Sequence, residues 1–389
     1  MLVASRVANP RTLQSELIAP PLDEGARVDI CIAGAGLPGL LAAYLLARDK
    51  HSVMVIEDGP LGGPDAMPEV THMASRIDTP FSALEARLGE DGARIAAQSH
   101  VAAIDSLEAI VRREHIACEF ERLDGFRFAA VGDGRSGLEA EARAARRAGL
   151  EGVELVHAAP IDGSDSGPCV RFPAQAQLQP VKLAAGLARA IKRDGGRIHC
   201  GVGTRAVLSG RPSCLVTTAG HRIEAQILVV PAAAPAPPLT AHAIGMRVPR
   251  GSVSRALYWE HGPGGTRHAR LRSGAALGEV LIVGGSDDPA ALLAWARTRF
   301  PRTSEVLQRF SGEVARPTEL FAFAGEKEGD SESVYVKGIS WGTAMTRAAI
   351  AGMVIRDFVE SIRTPVSDRY APSACYTPAE TTSPPRPRR

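Results

Sequence analysis

Between Val28 and Glu57 the apolar residues first alternate and then crowd together. Val28, Ile30 and Ile32 recur at every second position, the spacing of a strand. A turn of small residues, Gly34-Ala35-Gly36-Leu37-Pro38-Gly39, separates them from an apolar helix. Val53-Met54-Val55-Ile56 then reads as the next buried strand and ends at Glu57. Further on, Phe81 to Leu88 and Glu90 to His115 place Ile95, Val101, Ile104, Leu107, Ile110 and Val111 near helical spacing, so two long helices are predicted. Cys118 to Ala130 reads as strand, the glycines from Gly132 to Gly137 as a turn, and Leu138 to Ala148 as a short helix. The stretch Cys169 to Pro180 is another strand leading into a helix from Val181 to Arg193, stopped by Gly195-Gly196. A strand at Arg197 to Val202, a hairpin through Ala219-Gly220 and the run Ile227-Leu-Val-Val230 complete this half.

Pro231 to Pro238 is proline-rich and marks a boundary. Beyond it the pattern turns strand-rich. Ser254 to Glu260, Arg267 to Arg272 and Val280 to Val283 are separated by glycine turns. One helix from Pro289 to Phe300 precedes a strand near Leu307 to Val314. Val334-Tyr-Val336 then enters a glycine turn and a last helix, Thr343 to Ser361. This returning strand and helix are what a discontinuous nucleotide-binding domain needs in order to close. The end, Ser367 to Arg389, is Pro, Ser, Thr and Arg and is predicted to be a disordered tail.

Composition changes this picture little. At 389 residues, 45% hydrophobic and 23% charged, the chain can bury two cores, so two domains are expected. A net charge of +2, spread along the chain, argues against a nucleic-acid footprint. The basic run Arg143-Ala-Ala-Arg146-Arg147 reads as the solvated face of a helix. Six scattered cysteines and ten unclustered histidines form no metal-ligand spacing, so reduced thiols and no metal are expected. Residues 1–26 lack the apolar core of a secretory signal, and the apolar stretch Ile227 to Leu239 holds four prolines. A cytoplasmic chain without a membrane segment is expected.

The candidate chemistry sits in the opening motif, which fills the template G-x-G-x-x-G between strand and helix. Gly34 permits the tight turn, Gly36 lets bare backbone approach a pyrophosphate, and Gly39 lets the helix pack against the strand. The positive helix N-terminus then faces the phosphates, and Glu57 is placed to accept from ribose hydroxyls. The motif alone does not separate NAD from FAD. His72, in the loop after the second strand, is the best-placed histidine for chemistry.

Four stretches together carry a family likeness. They are the nucleotide turn; Ile116 to Phe128; Val170-Arg-Phe-Pro-Ala-Gln-Ala-Gln177 with Gly186 to Ile191; and Val248 to Val253 with Ala256-Leu-Tyr-Trp259, Val334 to Gly338, Met345-Thr346 and Ala351-Gly-Met353. With them the chain resembles the D-amino-acid oxidase-like (glycine oxidase) flavoprotein superfamily. It is most similar to a bacterial subgroup that usually carries a C-terminal Rieske domain. No Cys-x-His ligand pair for such a cluster follows Cys375.

The resemblance implies an α/β fold, with a discontinuous Rossmann-like FAD-binding domain from 27–116, 177–234 and 326–363. A mixed-sheet α+β substrate domain would take 117–176 and 235–325, with 1–26 an N-terminal extension and 364–389 a disordered tail. It implies FAD, held at its adenine end by Gly34, Ala35, Gly36, Leu37, Pro38, Gly39 and Glu57. The flavin ring would lie between Asp58, Gly62 and Gly63 on one side and Trp341, Gly342, Met345 and Thr346 on the other. Trp341 and Tyr258 are candidates for the ring pocket or for plain core, and Arg316 and Arg347 for a substrate carboxylate or a structural ion pair. The implied activity is oxidation of an amine, amino acid or related small molecule by hydride transfer to the flavin, reoxidised by oxygen or a partner protein. The family's catalytic groups do not carry over residue by residue, because the loops around the ring differ. The relatives' Phe-Pro-Asn-Gln-Ala-Gln-Phe-His-Pro, for example, is Phe172-Pro-Ala-Gln-Ala-Gln-Leu-Gln-Pro180 here. Two other readings stay open on the residues: a flavin-fold subunit that binds or scaffolds without catalysis, and a nicotinamide-dependent enzyme.

Overall fold

The computed structural model of the chain describes residues 17–62, 72–77, 79–129, 134–208, 210–231, 239–262, 265–274, 278–314, 323–327, 330–337 and 344–370. The first half runs β1 (Ala26–Ala33), α1 (Leu37–Arg48), β2 (Val53–Glu57), β3 (His72–Met73), α2 (Phe81–Arg113), β4 (Glu121–Phe128), α3 (Gly134–Arg147), β5 (Glu154–Val156), β6 (Cys169–Gln177) and α4 (Pro180–Arg193). Four strands follow: β7 (Arg197–Cys200), β8 (Thr204–Leu208), β9 (Ser213–Thr217) and β10 (Arg222–Pro231). The second half has β11 (Leu239–Val248), β12 (Ala256–Gly262), β13 (Gly265–Gly274), β14 (Gly278–Gly285), α5 (Pro289–Arg299) and β15 (Val306–Val314). It closes with β16 (Phe323–Lys327), β17 (Asp330–Lys337), α6 (Ala344–Val359) and α7 (Pro365–Tyr370).

These strands form two sheets. The first has the order β16-β17-β10-β1-β2-β7, with β9 on β10 and β8 on β9. Its centre is parallel: Ile30 faces Val53 of β2 and Ile227 of β10, and Leu228 of β10 faces Ser333 of β17. Strands covered on both faces need apolar residues at every position, and Val53 to Ile56 are all buried accordingly. β17 reaches this sheet after the chain has built the second one, as a discontinuous domain requires. The helix α1 is apolar on nearly every side because α4 and α6 both pack on it. The predicted break between two helices after Leu88 is present as a kink in α2, where Gly89 takes a non-helical φ of 73° and ψ of 172°.

The second sheet has the order β15-β11-β14-β13-β12-β4-β6-β3, with β5 on β6. Alternation along its strands puts Phe126, Phe128, Tyr258, Ala269 and Leu271 on one face, where Trp295 of α5 and Phe300 at its C-cap cover them. Tyr258 and Phe300 meet edge to face, 5.3 Å between centroids.

Three local features differ from the pattern-based reading. β11 runs as an inner strand between β14 and β15 with Gly245 at its centre, so alternation there is weak. Residues 365–370, at the start of the expected tail, form α7, and the buried Tyr370 hydroxyl lies 2.9 Å from Ser99 Oγ on α2. Within the N-terminal extension Ala19 and Leu22 are buried, and Leu61 N–H donates to Leu17 O at 2.9 Å. No helix of the described residues is long and apolar enough to cross a membrane. The five described cysteines are unpaired and buried, and burial pushes the Cys31 thiol up to about 12.

α1 and α6 approach so closely that a Cβ on Gly352 would stand 2.7 Å from Leu41 Cβ and 3.2 Å from Ala42 N. Gly352→Ala is therefore expected to force the helices apart and to destabilise the chain by about 1–3 kcal/mol. Urea unfolding measures it; an unchanged midpoint would show that the two helices do not share this contact.

Candidate functional site

The first part of the site grows from the end of β1. Gly34 takes φ 108°, which a side-chain-bearing residue rarely adopts, and its N–H donates to Ile56 O at 2.8 Å. The chain then enters α1 with Gly36 extended at the N-cap, no side-chain cap and Pro38 in the first turn. A Cβ on Gly39 would lie 2.1 Å from Gly34 O, so only glycine lets the helix sit this close to the turn. An uncapped first turn leaves backbone N–H groups and the positive helix end for an anion.

Ala35 is the hub of this turn. Its N–H donates to Glu57 Oε2 at 2.6 Å, and its carbonyl accepts from Gly62 N at 2.9 Å. Gly59 N–H donates to Glu57 Oε1 at 3.3 Å. The carboxylate is thus held at the mouth of the turn by two backbone donors and keeps further lone pairs for a ligand's hydroxyls. The glycine turn, Glu57 and Gly62 come together, while Ala35 and Leu37 are buried beneath them. Asp58 instead is exposed beside Gly203: a Cβ there would lie 3.2 Å from Asp58 Oδ1. Gly63, Trp341, Gly342 and Arg316 lie outside the described residues.

Met345 and Thr346 stand in the first turn of α6, both buried. Met345 joins the core under α1. Thr346 Oγ1 accepts from Ala74 N at 3.1 Å. One residue on, Ser75 N donates to Gln175 Oε1 at 2.7 Å, and Gln175 Nε2 returns to Ser75 Oγ at 2.9 Å. The segment 72–77 is therefore fastened to the last helix on one side and to β6 of the second sheet on the other.

Beyond that segment lies the second sheet's other face. Arg127 of β4, Trp259 of β12, His268 of β13 and Gly284 of β14 are direct cross-strand partners and share it. Arg270, two residues along from His268, points the same way. Arg76 stacks over Trp259 at 4.9 Å, and the His72 and His268 rings lie 4.8 Å apart. All are nearly fully buried. Two glycines make room: a Cβ on Gly284 would be 2.4 Å from His268 Nε2, and one on Gly125 would be 2.5 Å from the Trp259 ring. His268 is only 4% exposed, and neither ring nitrogen has a hydrogen-bond partner. Burial holds its pKa well below the usual value, and the charges of His72, Arg76 and Arg270 push the same way, so the ring is neutral.

Of the two readings open for Tyr258, ring pocket or plain core, the structure shows the second. Tyr258 is core on the α5 face, its hydroxyl donating to Ser254 O at 3.0 Å, and its neighbour Trp259 faces the site. Arg347 is buried on α6, near enough for its charge to act on the Tyr370 hydroxyl. Sequence reasoning missed Arg76, Arg127, His268 and Arg270. The available signal was charged residues at every second position of predicted strands, which reads equally well as a solvated face.

Comparison with known proteins agrees with this architecture. Residues 29–357 match the family model described as FAD dependent oxidoreductase, DAO. The chain is 25% identical over 211 residues to YhfW of Bacillus subtilis, a protein named for a Rieske 2Fe-2S iron–sulfur centre, covering 54% of this chain and 41% of that one. It is 25% identical over 215 residues to gamma-glutamylputrescine oxidoreductase of Escherichia coli, covering 54% and 50%. The chain thus spans about half or less of the length of the curated relatives it matches. Glycine oxidase from Geobacillus kaustophilus superposes with a TM-score of 0.71 at 18% identity, covering 87% of this chain and 96% of that one. With the match running over most of its length, the chain belongs to the DAO family of FAD-dependent oxidoreductases.

Proposed function

We propose that the chain oxidises an amine or amino acid, with FAD held along the first sheet and the substrate presented from the second. The observation that carries this reading is the join between the two sheets at 72–77, which sets the buried polar face of β4, β12 and β13 beside the first turn of α6. The residues fit the cofactor. The glycine turn leaves a cradle that a side chain at Gly34 or Gly39 would disturb, and Glu57 is fixed over it with lone pairs to spare. On this reading 27–116, 177–234 and 326–363 form the cofactor side and 117–176 with 235–325 the substrate side.

FAD, when bound, supplies the hydride acceptor for oxidation of a carbon–nitrogen bond. The chain's residues do the rest. Gly34 to Gly39 bind the pyrophosphate through backbone N–H groups, and Glu57 orients the ribose. The α6 N-terminus, at Met345 and Thr346, would offer a positive helix end to the cofactor's ring, and Gly62, Gly63, Trp341 and Gly342 are the other residues proposed to hold it. Trp259 and the neutral His268 close the substrate side against water. Donors that are fixed before the reaction need no reorganisation during it.

Two measurements test this reading. The purified protein is expected to be yellow, with bands near 370 and 450 nm, roughly those of any oxidised flavin, and to bleach anaerobically with some member of an amine and amino-acid panel. A colourless protein that takes up no FAD refutes the cofactor, and an intact flavin that no amine reduces refutes the reaction. Gly39→Ala should cost about 1–3 kcal/mol at the turn, roughly a tenfold or larger loss of FAD affinity. Full flavin occupancy after gel filtration of that variant would mean that the phosphates bind elsewhere.

A further inference from the structure

Ser75 lies in the middle of the segment that joins the two sheets. It is 4% exposed, yet it borders a cavity of about 170 Å³ lined by Val101, Ile104, Leu150, Val153 and Pro173. Packing therefore does not hold it from that side. The Gln175 amide does. This fully buried side chain accepts from Ser75 N at 2.7 Å, donates from Nε2 to Ser75 Oγ at 2.9 Å, and gives its other hydrogen to Pro173 O at 2.7 Å. With both amide hydrogens engaged and the oxygen facing an N–H, the group has one orientation.

An irregularity in its own strand aims Gln175. Between β6 and β4, Gln175 faces Leu123 and Phe172 faces Gly125, which leaves Pro173 and Ala174 together opposite Asp124. A bulge of this kind bends the strand and re-aims a neighbouring side chain. Ala174 takes φ 60°, in the left-handed region that a residue with a side chain keeps only where its surroundings impose it. Arg122 supplies that constraint. Its Nη1 donates to Ala174 O at 2.8 Å, while Nε and Nη2 reach Glu108 at 2.8 Å and Asp105 at 2.6 Å on α2. Bare backbone at Gly125 completes the seat, because a Cβ there would stand 3.0 Å from Gln175 Cγ and 2.5 Å from the Trp259 ring.

Contacts thus run without a gap from α2 through Arg122, Ala174 and Gln175 to Ser75. We propose that Gln175 is a positioning residue for the oxidation: seated by the strained bulge, its amide sets the depth of 72–77 and so places His72 against His268 and Arg76 on Trp259. The proposal rests on the reading that substrate is presented from the second sheet.

Two variants at Gln175 test it in the full chain. Gln175→Met keeps the length of the side chain without its hydrogen bonds, and Gln175→Glu keeps the acceptor for Ser75 N without the two donated hydrogens. Amide exchange is followed at Ala74, whose own acceptor, Thr346 Oγ1, is untouched. The nitrogen NMR signals of the His268 ring, the visible circular dichroism of bound flavin and kcat/KM with an amine from the panel are the other readouts. In Gln175→Met, exchange at Ala74 is expected to quicken roughly tenfold to a hundredfold, the worth of a buried hydrogen bond. The His268 signals should shift, the flavin dichroism should change and kcat/KM should fall, with Gln175→Glu between the two proteins. Unaltered exchange at Cys31 and Val55 of the first sheet shows that the fold is kept. Exchange at Ala74 within about twofold of the unaltered chain overturns the proposal, and so does faster exchange with unmoved His268 signals. Unchanged dichroism and kcat/KM in a flavin-loaded Gln175→Met also overturn it. Should that variant not fold, Ser75→Ala, which removes only the hydroxyl, decides by the same signals, and an unmoved His268 ring refutes the role. A chain without flavin refutes the cofactor reading alone, since exchange and the His268 signals are read without it.

Discussion

The placement of residues 72–77 is the constraint on which the rest of the site depends. A segment crossing between two sheets cannot use a strand ladder for all of its backbone, and buried backbone groups must find partners. Ala74 finds Thr346 of α6, and Ser75 finds Gln175 of β6. One partner comes from the helix that closes the first sheet and the other from a strand of the second. Sliding either body would leave a buried amide unsatisfied at about 1–3 kcal/mol each. The backbone bonds also carry the side chains on either side of Ala74 and Ser75, His72 against His268 and Arg76 on Trp259.

At the other end of the first sheet the same economy appears in Glu57. The carboxylate that a bound ribose needs is also the group that closes the turn through Ala35 N–H. Strand, turn and helix therefore cohere before any ligand arrives, and the ligand meets donors already aimed. Gly39, pressed on Gly34 O, and Gly352, pressed on Leu41, show that this precision depends on close approach of backbones.

Much of the frame was legible because the hydrophobic period changes abruptly where the element changes. Val28 to Ile32 has period two, Leu40 to Ala47 is apolar throughout, and Val53 to Ile56 is a short apolar run; each has only one good place in a parallel sheet. Gly89 and Gly220 were readable because a positive φ suits glycine and breaks what surrounds it. β11 was not, since Thr240, His242 and Gly245 blur its alternation while long-range pairing with β14 and β15 holds it. The two-residue β3 exists only through its pairing with Gln177 and Ala176. The site suffered most from parity. In a strand one step changes the face, so Tyr258 and Trp259 cannot be assigned without knowing what covers each side. His268 and Arg270 look like solvated residues until the first body is laid over them.

That burial also bears on what the polar face is for. Charged groups lose hydration when they are buried, and an apolar layer at these positions would lose none. The sheet already shows such a layer on its reverse, where Phe126, Phe128 and Tyr258 meet Trp295 and Phe300. One sheet thus carries an apolar face and a polar face, alternating residue by residue along β4, β12 and β13. Burial keeps the His268 imidazole neutral among the guanidiniums, so it adds a donor and an acceptor to the polar face without adding positive charge.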